Sequence, residues 1–267
     1  MGVVNVTPDS FSDGGRFLDP AAAVARGEEL ARAGAALVDV GGESTRPGAA
    51  PVGVEEELRR VVPVVSGLAT RGVVVSIDTT KSAVAAAALD AGAVVVNDVS
   101  GGTADPDMLA VVAAAGAGFV AMHMRGTPRT MQEDPRYDDV VREVGRFLRT
   151  RVEAALAAGV HEGALLVDPG IGFGKTVAHN LALLGALPEL AGVAGAPLVV
   201  GASRKSFLGS LLGGLAPDER DEATLALTVW CFERGAAMVR VHDADSSVRA
   251  ARLLDVCERA SQSGGPA

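Results

Sequence analysis

One phrase recurs along the chain. An Ala-rich segment with helical spacing ends at a glycine, four or five apolar residues follow, and a polar residue closes the run. Gly34 leads into LVDV with Asp39, Gly92 into VVVND with Asn97, Gly116 into FVAMH with His123, Gly159 into LLVDP with Asp168, and Gly235 into MVRVH with Arg240 and His242. Glycine suits the left-handed position just past a helix C-terminus, and an unbroken apolar run fits a parallel strand covered on both faces. Residues 3–6, 73–77 and 197–200 add three strand candidates without the full phrase, which makes eight. Asp19-Pro20 and Asp105-Pro106 place an N-cap before a proline at the first helical position. Strand-helix units averaging about 33 residues have the size of a βαβ repeat. The expectation is an α/β fold, a single (β/α)8 TIM barrel over residues 1–260, with residues 261–267 (SQSGGPA) as a disordered tail. Pro and Gly fall at unit boundaries, and no linker divides the chain. The connections after strands 1 (7–19), 2 and 5 (124–137) are long; in such barrels they lie on the C-terminal, catalytic face, where long loops serve as lids.

Composition narrows the function classes. With 48% hydrophobic and 21% charged residues, the chain of 267 is not a disordered one. Its 24 basic and 33 acidic residues give a net charge of -9, which argues against a nucleic-acid partner, and one Trp and one Tyr leave little to stack bases on. Any phosphate must therefore be held locally. Cys231 and Cys257 have no metal-ligand neighbours and read as reduced thiols. The uncharged run 108–122 is shorter than the roughly 20 apolar residues of a bilayer span, and the N-terminus has no secretory pattern. The expected location is cytoplasmic, with no membrane partner.

Every expected strand ends in polar residues: Asn5, Asp39 with Glu43, Ser44, Thr45 and Arg46 beyond it, Asp78, Asn97, His123, Asp168, the run SRKS at 203–206, and Arg240 with His242. A single Asp or Asn past a strand is more often a helix cap or an Asx turn than a catalytic group. Asp39, inside its strand, and His123 are assigned to that structural role. His161 and His179 lie away from strand ends and read as solvated; Lys81 and Lys175 read as surface partners or phosphate attractors. Convergence of acid and base on one face lifts Asn5, Asp78, Asn97, Asp168, Lys205, Arg240 and His242 above the bland reading. Carboxylates and an amide suit a ligand with adjacent N–H donors, while Arg240 and His242 follow strand 8, where barrels commonly bind phosphate. The expected ligand has a heterocyclic head and a phosphate tail. Residues 170–176 (GIGFGKT) fall one residue short of a P-loop, and Gly116-x-Gly118-x-x-Ala121 sits at a helix-to-strand junction, the reverse of a dinucleotide site. Neither is read as nucleotide-binding, and no His/Cys group has zinc spacing.

Seven blocks in order carry a family resemblance: GVVNVTPDSFSDGG (2–15), DVGGESTRPGA (39–49), SIDTTK (76–81), VNDVSGG (96–102), DPGIGFGK (168–175), GASRKSFLG (201–209) and RVHD (240–243). Over residues 2 to about 258 the chain resembles the dihydropteroate synthase family. The resemblance implies a transferase of folate biosynthesis that condenses p-aminobenzoate with 6-hydroxymethyl-7,8-dihydropterin diphosphate and releases pyrophosphate by an SN1-like route. It implies that Asp78, Asn97, Met122, Asp168 and Lys205 bind the pterin, and that Asn5, Arg240 and His242 bind the diphosphate. Mg2+ is the implied cofactor, with Asn5 as its ligand. Phe11, Thr45, Arg46, Pro47, Phe173 and Ser206 would shape the p-aminobenzoate pocket. Asp13, Lys205, Arg240 and His242 would act in catalysis, Asp13 beside the developing cation. A homodimer pairing through helical faces near Trp230, Cys231 and Phe232 is also expected. Two alternatives stay open: a pterin-binding paralogue without turnover, and a methyltransferase that uses a methylated folate on the same barrel.

Overall fold

The computed structural model describes residues 1–7 and 19–263. Among the described residues eight strands run in order, β1 (Gly2–Asn5), β2 (Val38–Gly41), β3 (Val75–Asp78), β4 (Val95–Asp98), β5 (Gly118–Met122), β6 (Leu165–Asp168), β7 (Val199–Val200) and β8 (Met238–Val239). Strands β1 to β6 pair in parallel with their sequence neighbours, as β7 does with β8. Two isolated parallel bridges, Val167 with Leu198 and Gly2 with Val241, join the two sheets at both seams. Backbone hydrogen bonds cross there too: Val167 N to Pro197 O at 3.0 Å and Val3 N to Val241 O at 3.1 Å. The ring is thereby closed, and the chain is the expected (β/α)8 barrel.

Ten α-helices surround it among the described residues: α1 (Pro20–Arg32), α2 (Val54–Ala69), α3 (Ser82–Asp90), α4 (Met108–Ala115), α5 (Val140–Ala157), α6 (Val177–Gly185), α7 (Leu187–Ala194), α8 (Ser206–Leu211), α9 (Asp221–Glu233) and α10 (Ala244–Ser263). The crossover after β6 is split into α6 and α7, and α8 is a short turn of helix in the loop after β7. Helix α10 reaches Ser263, three residues into the segment expected to be a tail. The five phrase glycines all take positive φ, from 63° at Gly116 to 109° at Gly92, the backbone state that ends each helix and frees the chain for its strand. Asp19 caps α1 by accepting from Ala21 N at 3.0 Å, ahead of Pro20. Asp105-Pro106 does not start a helix as expected. Helix α4 begins at Met108, and the Asp105 carboxylate accepts from Ser82 N at 2.8 Å, at the start of α3. Among the described residues no single helix is long and apolar enough to cross a membrane.

The strands bury two unlike faces. Toward the helices, Val38, Val40, Ile77, Val96, Phe119 and Val167 join Leu68, Leu148 and Leu190 in one large apolar layer. A second, smaller group, Met1, Leu37, Val120 and Val199 with partly buried Val95, Leu166 and Met238, plugs the interior of the ring. Side chains on a strand alternate with period two. The residues two positions beyond that plug are therefore Asp39, Met122, Asn97, Asp168 and Arg240, on the same inner face and nearer the C-terminal mouth.

Candidate active site

Polar groups lifted into a barrel interior must satisfy one another. Arg240 is the centre of this arrangement. Its Nε donates to Asp39 Oδ2 at 2.6 Å and its Nη2 to Asp78 Oδ2 at 2.8 Å. Asp39 Oδ2 also accepts from Asn97 Nδ2 at 3.0 Å. A carboxylate only accepts, so this contact turns the Asn97 amide nitrogen inward and leaves its oxygen as the acceptor for a ligand. Burial works against the Arg240 charge, but Asp39 and Asp78 outweigh it and hold the guanidinium more basic than usual. Burial pushes Asp78 up to about 7 against the pull of Arg240, with Asp39 adding to the rise.

Two glycines mark how closely the strand ends meet. A Cβ on Gly201 would stand 3.3 Å from Asp168 Oδ2 and 3.8 Å from Arg240 Cβ. A Cβ on Gly41 would stand 3.6 Å from Asp78 Oδ2 and 3.8 Å from Asn5 Oδ1. Asp168 is buried, and its Oδ1 accepts from Gly170 N at 2.7 Å. Burial raises its pKa, opposed by the Gly170 amide and then by Lys205.

The cationic side is built by the loop after β7. Arg204 is the one described residue other than glycine with positive φ, at 57°. Its guanidinium grips Asp221 through Nε at 2.6 Å and Nη2 at 2.7 Å, and its amide donates to Thr224 Oγ1 at 3.1 Å. That anchorage to α9 compensates the backbone strain and presents Ser203 and Lys205 on either side. Lys205 Nζ sits 3.9 Å over the Phe173 ring. Burial lowers its pKa to about 8, with Arg240 contributing. Ser203 Oγ lies 3.0 Å from His242 Nδ1 and accepts from His242 N at 3.3 Å. The two contacts hold the His242 ring against the loop after β7. Burial, then Arg204 and Arg240, lower its pKa to about 3. His242 is thus a neutral imidazole near pH 7.

This arrangement can clasp a flat heterocycle with acceptors on one edge and draw on a leaving anion at the other. The chain matches the pterin binding enzyme family over residues 1–242. The dihydropteroate synthase of Mycobacterium leprae is 53% identical over 260 residues, 95% of this chain and 91% of that protein. The chain belongs to the dihydropteroate synthase family of pterin-binding enzymes. Two solved members agree in fold: the Yersinia pestis dihydropteroate synthase, in a sulfonamide drug complex, at 44% identity and TM-score 0.92, covering 97% of this chain and 94% of that one, and the Xanthomonas albilineans dihydropteroate synthase with 4-aminobenzoic acid at 47% identity and TM-score 0.89, covering 97% and 92%. The activity of the family is that of a transferase in folate biosynthesis.

Within this dihydropteroate synthase framework, the structure brings together Asn5, Asp78, Asn97, Asp168 and Arg240, with Lys205 and His242 on the adjoining loops. Met122, in register with Asp168, packs with Val99, Met131 and Phe173 in an apolar wall at the mouth. Thr45 is half-buried and Arg46 and Pro47 are exposed on the loop after β2; Arg46 is near enough to act electrostatically on Lys205 and His242. Ser206 is the exposed first residue of α8 and has no described contact with the other site residues. Phe11 and Asp13 lie outside the described residues. Three groups were misjudged from the sequence. Asp39 is not a turn residue but the fully buried counter-ion of Arg240; a lone carboxylate inside an apolar strand was the available signal. Lys175 is 3% exposed, not a surface group. Lys81 pairs with Glu43 and with the fully buried Glu57 of α2, and Glu57 also accepts from Thr79 Oγ1 at 2.7 Å. Nothing in the polar-looking stretch VEEELRR marked Glu57 as buried.

Proposed function

We propose that this barrel makes dihydropteroate by letting pyrophosphate leave before the amine attacks, with Asp78 of β3, Asn97 of β4 and Asp168 of β6 holding the pterin and the β7 and β8 loops holding the diphosphate. The observation that carries this reading is the shared approach of Asp168 Oδ2 and the Arg240 side chain to Gly201, at 3.3 and 3.8 Å. Asp168 accepts from the pterin 2-amino and N3 donors, the Asn97 oxygen and Asp78 meet the remaining ring edge, and Lys205 donates near O4 and N5. A guanidinium has five N–H donors; Arg240 gives one to Asp39 and one to Asp78, and the rest are available to phosphate oxygens without loosening the anchor.

The C–O bond to the pterin methylene breaks with its electron pair going to pyrophosphate, and the dihydropterin ring delocalises the positive charge left behind. Fixed donors aimed at the departing oxygens stabilise that step more than they stabilise the bound substrate. The p-aminobenzoate nitrogen then bonds to the methylene carbon and releases a proton. Loop contacts help exclude water from the cation: Gly48 N donates to Pro128 O at 3.0 Å, and Gln132 Nε2 to Gly172 O at 2.6 Å, tying the loops after β2, β5 and β6 together. Phe173, Thr45, Arg46 and Pro47 border the second substrate, a reading supported by the 4-aminobenzoic acid complex of the Xanthomonas albilineans relative.

The donor set suits Mg2+, a hard cation that takes oxygen ligands and is completed by substrate phosphates and water. Asn5 Oδ1 and Asp78 Oδ2 both approach Gly41, while no group of three or more His, Cys, Asp or Glu side chains able to hold a metal occurs among the described residues. Asn5 would hold the ion together with the diphosphate, and the ion would supply charge neutralisation to the leaving group.

A homodimer and a cytoplasmic location belong to the same proposal. Trp230 of α9 is exposed, whereas Cys231 is buried and faces the core, so pairing would use the Trp230 side. The test of function is direct. Purified protein given dihydropterin diphosphate, p-aminobenzoate and Mg2+ should form dihydropteroate and pyrophosphate in equal amounts, and no dihydropteroate when p-aminobenzoate or Mg2+ is left out. Folded protein that forms none would overturn the reading; tight pterin binding without product would favour the non-catalytic paralogue.

A further inference from the structure

The segment after β6 reads GIGFGKT, and none of the steps above uses its lysine. Lys175 is nearly enclosed, although an isolated ammonium is costly to bury. Its Nζ lies 3.0 Å from His123 Nδ1, 3.3 Å from His123 O and 3.0 Å from Phe173 O. An ammonium has three donors and no acceptor, and these are three acceptors. Burial still lowers its pKa, to about 7. The contacts join the end of β5 to the loop after β6. The same junction is closed by Tyr137, whose hydroxyl donates to Gly174 O at 2.8 Å, and by Arg125, stacked 4.0 Å above the Tyr137 ring. The His123 ring meets Phe147 of α5 edge-on at 5.0 Å. The approach is so close that a Cβ on Gly170 would stand 1.9 Å from His123 O, and one on Gly174 2.5 Å from Arg125 O. The glycines that imitate a phosphate loop serve backbone contact. At the far end of the tether the Phe173 ring supports Lys205 Nζ and packs against Met122 and Met131.

We propose that Lys175 is a positioning residue: by gripping His123 and the Phe173 carbonyl, it sets the Phe173 ring that borders the p-aminobenzoate pocket. This rests on the reading of the site as that of a synthase. It assigns Lys175 to the second substrate through Phe173, whose carbonyl it holds at 3.0 Å.

The test compares wild type with Lys175→Met, Lys175→Gln and Phe173→Leu, each checked for folding by circular dichroism, and with the Lys175→Met/Phe173→Leu double variant. KM for p-aminobenzoate should rise about tenfold in Lys175→Met, a loss of about 1.4 kcal/mol, and less in Lys175→Gln, which keeps two donors. Calorimetric affinity for dihydropterin diphosphate should stay within about threefold, and the double variant should be no worse than the poorer single one, as expected of residues acting as a unit. An unchanged KM, an equal loss of pterin affinity, or additive effects in the double variant would overturn the proposal. If Lys175→Met does not fold, Lys175→Gln and its double variant with Phe173→Leu decide by the same criteria. Failure of the synthase reading itself is distinguishable, because wild type would then form no dihydropteroate.

Discussion

The two faces of the barrel wall teach different lessons. The outer face is a continuous apolar layer against the helices, from Val38 and Ile77 to Leu68 and Leu190, and any well-packed set of similar volume would serve it. The inner face has only a thin apolar plug, with Met1, Leu37, Val120 and Val199 at its core. Above it the interior is held by ion pairs and hydrogen bonds among Asp39, Asp78, Asn97 and Arg240. Stability comes mainly from the first face and chemistry from the second, and the same strands alternate between them.

The sharpest way to break that comparison is Arg240→Met. It leaves Asp39 and Asp78 buried without their counter-ion, so the unfolding free energy should fall by about 3–5 kcal/mol, and dihydropteroate formation should fall by about 100-fold or more. Denaturant melts with an unchanged midpoint would refute the ionic interior. Leu68→Ala probes the other face. It should cost about 2–5 kcal/mol and leave kcat/KM unchanged below its melting temperature; a large drop in kcat/KM would show that the two faces are not separable.

A pH profile of pterin binding sharpens the inner side further. Asp78 at about 7 and Lys205 at about 8 place the window with a carboxylate acceptor and an ammonium donor between those values. Affinity should tighten from pH 6 to 7.5 and weaken above 8, and Asp78→Asn should remove the acidic limb. The linkage to stability runs the other way. Between its unfolded value of 3.8 and about 7 the folded chain holds an Asp78 proton that the unfolded chain has released, so this group's contribution to stability declines as the pH rises through that range. The smallest effect is expected at the exposed rim. Arg46→Ala should raise KM for p-aminobenzoate about tenfold, close to 1.4 kcal/mol, with pterin affinity intact.

The outer face was legible because apolar runs, period-two alternation and terminal glycines are local signals. Asn5, Asp78, Asn97, Asp168 and Arg240 were legible because they close strands, and Lys205 and His242 because they follow in the loops after β7 and β8. Asp39, Glu57 and Lys175 were not, since burial of a charge depends on partners far along the chain: Arg240 lies 201 residues from Asp39, and Lys175 lies 52 from His123. Strands β7 and β8 are shorter than their apolar runs suggested, because Leu198 and Val241 serve the seams as single bridges. Asp105-Pro106 shows the limit of a local cap signal, since the Asp105 carboxylate accepts from both Ser82 N and Asp107 N, yet the helix begins only at Met108.

Calorimetric titration of dihydropterin diphosphate and Mg2+ into wild type and Asp168→Asn tests the central claim most directly. Wild type should bind saturably and the variant should lose about 100-fold or more in affinity, with the melting midpoint preserved, because a buried acceptor facing two ligand donors becomes half a donor itself. Equal affinity in the two proteins would contradict it.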